Sequence, residues 1–143
     1  MQVRDILGHK GREVLDIAPD ATLQDACGRL VEHNIGALVV RTADGRLEGI
    51  ISERDIVRAT AGKGREVLSA RVSAHMTKLV QSCAETDAVE DIMETMTNRR
   101  LRHVPVLEEG RLVGIVSIGD VVKSRIEETV QEAENLRGYI ASS

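Results

Sequence analysis

Aromatic side chains are almost missing from this sequence. Its 143 residues include no Trp and no Phe, and Tyr139 is the only Tyr. Proteins that bind single-stranded nucleic acid commonly stack bases on such side chains. The formal net charge of −4 is also unfavourable for a surface that contacts phosphate backbones. We therefore expect no nucleic-acid partner.

Cysteine and long apolar runs are scarce as well. Cys27 and Cys83 are the only two cysteines, and neither belongs to a C-x-x-C or Cys/His pattern, so we expect two reduced thiols rather than a disulfide or a metal site. No run approaches the ~20 apolar residues of a membrane-spanning helix, and the first residues lack the apolar centre of a signal peptide. These features predict a cytoplasmic protein without a membrane partner.

The sequence does contain a duplication. Residues 45–57 read G-R-L-E-G-I-I-S-E-R-D-I-V and residues 110–122 read G-R-L-V-G-I-V-S-I-G-D-V-V. Upstream, residues 23–31 and 89–97 both carry apolar residues at the helical spacing i, i+3, i+4, i+7. Each of these segments is followed by an apolar run and a Gly-containing turn. We therefore predict two β-α-β-β-α units.

The duplication sets the predicted domain boundaries. Residues 1–62 form the first repeat with its N-terminal lead-in, 63–71 a linker, 72–124 the second repeat and 125–143 a C-terminal helical extension. Within the lead-in, residues 8–11 (Gly-His-Lys-Gly) are expected to form a basic turn. A repeat of roughly 50 residues buries too little surface to be stable alone, so the two repeats are expected to pack together. The apolar stripe of the extension needs to fold back on the body or to pair with a second subunit.

A Ser-x-x-Asp pattern follows the Gly-containing strand in each copy, as Ser52 with Asp55 and as Ser117 with Asp120. A helix N-terminus offers free N–H groups to a phosphate, and a carboxylate offers two acceptor oxygens to the hydroxyl pair of a ribose. The spacing therefore suits a ribose phosphate. It is also a variant of the capping box, with Asp in place of the usual Glu, so the pattern alone leaves both interpretations open.

Basic residues stand near both patterns. Arg54 lies on the first turn of its helix and is placed to reach an anion, whereas Gly119 takes this position in the second copy. Arg102 and His103 open an apolar strand and are expected to rim a pocket beside Asp120. We interpret His103 as a core or pocket-wall residue rather than a metal ligand or a general base. No nucleophile with a neighbouring base and no P-loop occurs, so we predict a protein that is not an enzyme.

Taken together, these motifs resemble those of the CBS domain pair, also called the Bateman module. The resemblance covers nearly the whole chain. It implies an α+β fold in which the sheets of two β-α-β-β-α units pack around a pseudo-twofold axis and leave two clefts, and this chain adds an extended C-terminal helix. The matching motifs are V-x-x-x-M-T at 72–77, R-H-V-P-V at 102–106, G-I-V-S-I-G-D at 114–120 and G-I-I-S-E-R-D at 49–55.

The resemblance implies that the clefts bind an adenine nucleotide or a related ligand, namely AMP, ADP, ATP, NAD or S-adenosylmethionine. It implies no catalytic cofactor. The candidate ribose ligands are Asp55 and Asp120, and the candidate phosphate ligands are Ser52, Ser117, Arg54 and Arg102. The adenine is expected to lie against Ile17, Ala18, Gly36 and Ala37 in the first cleft, and against Val80, Ser82, Cys83, His103, Val104 and Pro105 in the second.

The resemblance also implies a regulatory function. We expect a non-enzymatic sensor of adenine nucleotides, and hence of energy state, that forms a homodimer. No catalytic, transporter or kinase domain is attached, so we expect a stand-alone module that signals to a separate protein target. Gly36 and Ala37 stand where the second copy has Arg102 and His103, so the first cleft is expected to bind more weakly or differently. The alternative is a structural or dimerisation adaptor whose clefts are vestigial and bind no nucleotide.

Overall fold

The computed structural model describes residues 1–78 and 81–142. Its helices and hairpin strands follow the order predicted from the duplication, and two short 3₁₀ helices occur at Arg65–Ser69 and Val72–Ala74. Among the described residues, the first strand predicted for the second repeat is represented only by the bridge of Cys83 to Val106. The fold is therefore α+β, with two repeats and a long C-terminal helix, as predicted. The helices are α1 (Val3–Lys10), α2 (Leu23–His33), α3 (Glu53–Lys63), α4 (Val89–Arg99) and α5 (Ile118–Ser142). The strands are β1 (Asp16–Ile17), β2 (Ala37–Arg41), β3 (Leu47–Ser52), β4 (Thr77–Lys78), β5 (His103–Glu108) and β6 (Arg111–Ser117).

The chain divides into two compact units whose boundaries cross the repeats. One unit is Val14–Val80, and the other combines Met1–Glu13 with Gln81–Ser143. Helix α1 is the lead-in of the first repeat, but it belongs to the unit that contains most of the second repeat. Residues 72–78, which include β4, are the lead-in of the second repeat, but they belong to the unit that contains most of the first. Each packing unit therefore contains the lead-in of one repeat and the remainder of the other.

The unit of residues 14–80 is built on a four-stranded sheet in the order β1-β2-β3-β4. Strands β1 and β2 are parallel, whereas β3 is antiparallel to both β2 and β4. Helix α2 begins with a capping box, in which Thr22 Oγ1 accepts from the Asp25 amide and the Asp25 carboxylate accepts from the Thr22 amide. The buried core consists of Ile17, Leu23, Ala26, Leu30, Leu38, Val40, Ile51, Ile56, Val67 and Val72.

The other unit is built on the β5-β6 hairpin. Glu109 and Gly110 form its two-residue turn with φ values of 50° and 77°, the left-handed pair that such hairpins favour. Cys83 extends the hairpin as a parallel neighbour, because its amide donates to the Pro105 carbonyl and its carbonyl accepts from the Leu107 amide. The missing N–H of Pro105 faces this side and removes no bond from the hairpin. The buried core consists of Val3, Ile6, Leu7, Cys83, Val89, Ile92, Met96, Val104, Val106, Val116 and Val121.

Two segments differ from what the sequence indicates. One is more helical than expected, and the other is less buried than its apolar content suggests. Residues 8–10 continue α1 instead of forming the expected basic turn, and Gly11 ends the helix with a φ of 95°. In α5, burial is confined to Val121 and Ser124. Within residues 1–78 and 81–142, no helix combines the length and apolar character needed to cross a membrane.

In each unit, one glycine of the duplicated stretch, Gly49 or Gly114, leaves space for the neighbouring lead-in. A Cβ placed on Gly49 would lie 2.6 Å from the carbonyl oxygen of Thr77 and 2.9 Å from the sulfur of Met76. A Cβ placed on Gly114 would lie 2.7 Å from a methyl carbon of Leu7. Both glycines are buried, so the backbone of β3 or β6 approaches the neighbouring lead-in more closely than any larger residue allows.

We predict that Gly49→Ala destabilises the protein by about 1–3 kcal/mol, the usual range for overpacking, and that Gly114→Ala destabilises it less. A methyl group added at position 49 would contact a backbone carbonyl oxygen, which cannot move away without shifting the chain. A methyl group added at position 114 would contact the end of the flexible Leu7 side chain. Urea unfolding of both variants measures the difference. Equal losses of unfolding free energy in the two variants would contradict this explanation.

Candidate functional site

The first repeat places Ser52 and Asp55 at the junction of β3 and α3. The Ser52 amide donates to Asp55 Oδ2 over 2.9 Å, and the Asp55 amide donates to Ser52 Oγ over 3.2 Å. This is the reciprocal pattern of a capping box. Asp55 Oδ1 accepts a further bond of 3.1 Å from the hydroxyl of Thr77 on the lead-in. The capping interpretation is therefore confirmed, and it leaves a half-buried carboxylate beside a helix N-terminus.

The second repeat repeats this geometry at the junction of β6 and α5. The Ser117 amide donates to Asp120 Oδ2 over 2.8 Å, and the Asp120 amide donates to Ser117 Oγ over 3.1 Å. Lys10 adds a contact that the sequence did not predict. Its ammonium donates to Asp120 Oδ2 over 2.7 Å and to the carbonyl oxygen of Ile115 over 2.9 Å.

Lys10 and Ser117 hold the pKa of the Asp120 carboxyl below its ordinary value. Partial burial of Asp120 raises its pKa, but the hydrogen bond and charge of Lys10 and the bonds from Ser117 together lower that pKa below its ordinary value. The carboxylate is therefore ionised at neutral pH. The first repeat differs, because the side chain from the lead-in that reaches Asp55 is the uncharged hydroxyl of Thr77.

In the first repeat, Gly36 and Ala37 lie beside the Ser52 junction. Ala37 is directly opposite Ser52 across β2 and β3, and the Gly36 carbonyl accepts from the Glu53 amide over 3.0 Å. A Cβ on Gly36 would lie 3.0 Å from a carboxylate oxygen of Glu53, so the space beside Gly36 is already narrow. The side chain of Arg54 is exposed on the first turn of α3.

Ile17 and Ala18 lie at the other end of this sheet. Ile17 is opposite Val40, three residues from Ala37 along β2, which corresponds to about 10 Å. The Ile17 side chain is buried in the core. Together with Ala18 it also lines an open depression of about 670 Å³, which is bordered by α2 and whose lining includes neither Ser52 nor Asp55. The structure therefore does not bring these two residues to the Ser-Asp pair.

The parallel register of β1 points to a residue that sequence reasoning missed. Asp16 is opposite Val39, so extending the register by two residues places Val14 beside Ala37. Val14 is half-buried and lies two residues before β1, on the side of Ser52. Aligning the two repeats could have indicated it, because the offset of 66 residues that aligns residues 23–31 with 89–97 also aligns Val14 with Val80.

In the second repeat, His103 lies directly opposite Ser117 across the hairpin. The carbonyl of Arg102 accepts from the amide of Ile118, the first residue of α5, over 2.8 Å, while the Arg102 side chain is exposed. The next two residues of the strand, Val104 and Pro105, are buried. Arg102 and His103 therefore flank the Ser117 junction, and His103 is half-buried at its edge. That they rim a pocket beside Asp120 stays a prediction.

The remaining predicted residues of the second repeat are Val80, Ser82 and Cys83, in the segment where its first strand was predicted. Val80 lies outside the described residues. Ser82 is exposed, and Cys83 pairs with Val106, again three residues along the strand from His103. Burial, with a further contribution from the Asp87 carboxylate, raises the pKa of the Cys83 thiol to about 12. Cys83 is thus a protonated core residue, and neither it nor the half-buried Cys27 is paired in a disulfide.

Acidic, histidine and cysteine side chains are otherwise dispersed. Across residues 1–78 and 81–142, no group of three or more such side chains is arranged to hold a metal ion. Each candidate site thus contains a serine, a carboxylate and a helix N-terminus. In the second repeat, Lys10 contacts Asp120, and Arg102 and His103 lie beside the Ser117 junction. Such groups recognise and orient a polyol phosphate.

Comparison with known proteins shows the family to which the chain is similar. The CBS domain family model matches residues 3–62 and 71–127. The crystal structure of the CBS-domain containing protein ATU1752 from Agrobacterium tumefaciens is 51% identical, covers 87% of this chain and 92% of its own, and superposes with a TM-score of 0.84.

Two similar solved structures hold adenosine compounds. The CBS domain pair of protein MJ0100, in complex with 5′-methylthioadenosine and S-adenosyl-L-methionine, is 26% identical with a TM-score of 0.79, over 90% of this chain and 98% of that chain. The CBS domain protein PAE2072 from Pyrobaculum aerophilum, complexed with AMP, is 28% identical with a TM-score of 0.74, over 84% and 89%. The chain described here belongs to the CBS domain family and contains two CBS repeats.

Proposed function

We propose that this protein is a non-enzymatic regulatory module that binds an adenine nucleotide of the AMP, ATP or NAD type and signals to a separate protein target. The observation that supports this most is the paired Ser117 and Asp120 at the start of α5, where an ionised carboxylate lies beside the N-terminus of a helix. Two similar CBS structures hold AMP or S-adenosylmethionine, compounds that share the ribose such a carboxylate recognises.

The proposed roles follow from the positions of the groups. Asp120 accepts the ribose hydroxyls, while Ser117 and the N-terminus of α5 receive the phosphate. The exposed Arg102 side chain is available to further phosphates, and His103 with the backbone of Val104 forms a wall for the adenine. In the first repeat, Asp55, Ser52 and Arg54 take the corresponding roles beside Gly36 and Ala37, whose small side chains offer the adenine fewer contacts.

Thermal unfolding in the presence of ligands tests the proposal. AMP, ADP, ATP, NAD and S-adenosylmethionine are each added at about 1 mM, and unfolding is followed by circular dichroism because Tyr139 alone gives little fluorescence. A ligand at ~100 times its Kd adds ~2.7 kcal/mol to the unfolding free energy, which raises the midpoint by several degrees in a chain of this size. No shift with any of these compounds would refute nucleotide binding.

A second candidate function is a structural adaptor that binds no nucleotide. The specific observation in its favour is that both carboxylates are already engaged, Asp55 by Ser52 and Thr77 and Asp120 by Ser117 and Lys10. In this case Asp120→Ala lowers stability by about 1 kcal/mol, as for a lost cap, and no ligand raises the midpoint. The ligand series therefore separates the two candidates.

We further propose that the protein forms a homodimer through α5. Val122, Ile126, Ala133 and Leu136 follow a heptad pattern, and Val122, Ile126 and Leu136 are exposed by 47%, 59% and 60%. A seam of period 3.5 is typical of helices that pair with one another. A second copy supplies the same seam, so a symmetric pair of α5 helices covers both.

The two thiols support a reducing compartment, and the cytoplasm is the compartment we propose. Cys27 and Cys83 are both free, and Cys83 sits in the core without a partner cysteine. Free core thiols of this kind are typical of proteins made where glutathione keeps cysteine reduced.

A further inference from the structure

Lys10 already binds the carboxylate of Asp120, to which the proposed function assigns a ribose. Its ammonium lies 2.7 Å from Asp120 Oδ2 and 2.9 Å from the Ile115 carbonyl oxygen. The same Oδ2 atom also accepts from the Ser117 amide over 2.8 Å. One carboxylate oxygen of Asp120 therefore already carries two donors.

A ribose that places one hydroxyl on each carboxylate oxygen of Asp120 competes with this ammonium. Oδ2 already accepts from Lys10 and from the Ser117 amide, which are the two bonds that one carboxylate oxygen can accept, so a hydroxyl on Oδ2 takes the position of the Lys10 ammonium. A ligand without a phosphate displaces the Lys10 ammonium from the Asp120 carboxylate and offers it no other anion. A ligand with a phosphate beside Ser117 offers a new anion within the same small region.

We propose that Lys10 is the phosphate-specificity residue of the second-repeat site, released from Asp120 by the ribose and captured by the 5′-phosphate. This inference rests on the proposed nucleotide-binding function. It assigns to the lead-in helix a direct part in choosing the ligand. Nucleoside monophosphates are then favoured over nucleosides at this site.

The position of Lys10 allows such a move. It is the last residue of α1 and is followed by Gly11, and its side chain is 32% exposed. The flexible four-carbon stem of lysine carries a compact charge that can change partners while the backbone stays in place. Helix α1 itself is fixed, because Val3 and Leu7 lie in the core and the amides of Val3 and Arg4 donate to the carbonyls of Asp87 and Glu85.

The first repeat provides the internal contrast. There the side chain that reaches the carboxylate from the lead-in is the hydroxyl of Thr77, 3.1 Å from Asp55 Oδ1. A hydroxyl both donates and accepts, so it stays compatible with a ribose and offers no charge to a phosphate. The two sites are thus expected to differ in how strongly they require a phosphate.

Calorimetry with AMP and with adenosine tests this inference. The titrations use an Asp55→Ala background, so that the second-repeat site alone is measured, and they compare Lys10 with Lys10→Met and Lys10→Arg. We expect Lys10→Met to lower the ratio of AMP affinity to adenosine affinity roughly tenfold, the size of one hydrogen bond to a charged group. Lys10→Arg keeps the charge and should retain most of the preference.

Lys123→Met is the matched control, since it removes an exposed lysine from α5 in the same unit and should leave the ratio unchanged. Circular dichroism confirms that each variant is folded. If AMP and adenosine bind to Lys10→Met with the original ratio, Lys10 is only a structural tie between α1 and α5 and the inference is wrong. If the protein with Lys10 binds neither compound, the proposed function fails and the inference fails with it.

Discussion

Asp120→Ala is expected to weaken AMP binding roughly tenfold or more, and Asp55→Ala to weaken it less. The second repeat places Lys10 on its carboxylate and has Arg102 and His103 beside the Ser117 junction, whereas the first repeat has Gly36 and Ala37 at the positions of the last two. Most of the binding free energy for an anionic ligand should therefore come from the second site. Calorimetric titration of both variants with AMP measures the difference.

Both substitutions also remove a cap, and that effect needs to be separated from binding. Losing the carboxylate should reduce stability by about 1 kcal/mol at either position. Asp120→Asn and Asp55→Asn are the matched controls, because an amide oxygen can still accept from the Ser117 or Ser52 amide. Unchanged AMP affinity in all four variants would contradict the proposal that Asp55 and Asp120 bind the ribose, even if both residues stabilise the protein as caps.

The duplication was enough to predict the elements, the fold class and the Ser-Asp junctions. Identical positions in the two copies fall where the structure needs one particular residue, such as Gly49 and Gly114 against the lead-ins. The length of α5 was predictable too, because its apolar spacing continues past the point where Gly64 ends α3. These features depend on residues that are close together in the sequence, so the sequence pattern is enough to predict them.

The exchange of the lead-ins was not predictable from pattern. Residues 3–7 and 72–76 have similar apolar spacing, so each could pack on either repeat. The choice depends on long-range bonds such as those from the Val3 and Arg4 amides to Asp87 and Glu85. Lys10 was missed for the same reason, since its partner Asp120 is 110 residues away in the sequence.

Strand register was the other limit. Ile17 and Cys83 were predicted as adenine contacts because they lie on the first strand of each repeat. Parallel pairing places them opposite Val40 and Val106, three residues from the junction, where their side chains join the core. A short apolar strand does not reveal which of its residues faces the neighbouring junction, because register is set by the partner strand.

Ile126→Glu is expected to convert the proposed dimer into monomers, weakening self-association roughly tenfold or more, because it buries a charge in an apolar seam. Ile126 is 59% exposed in the single chain, so the substitution should leave the stability of the monomer nearly unchanged. Sedimentation velocity over a range of concentrations measures the equilibrium. Gln131→Glu adds the same charge on the far side of the helix and should leave the dimer intact.

The direction of the helices can be tested through their charges. When two α5 helices run in parallel, Glu132 of one lies beside Arg137 of its partner, since these are the flanking positions that face each other across a seam. Glu132→Arg and Arg137→Glu should each weaken the dimer, and the double exchange should restore it. An antiparallel pair brings neither residue to the other in this way, so failure of the double exchange to restore the dimer would exclude parallel pairing. Dimers that persist in Ile126→Glu would show that another surface joins the subunits and that the apolar seam of α5 has a different partner.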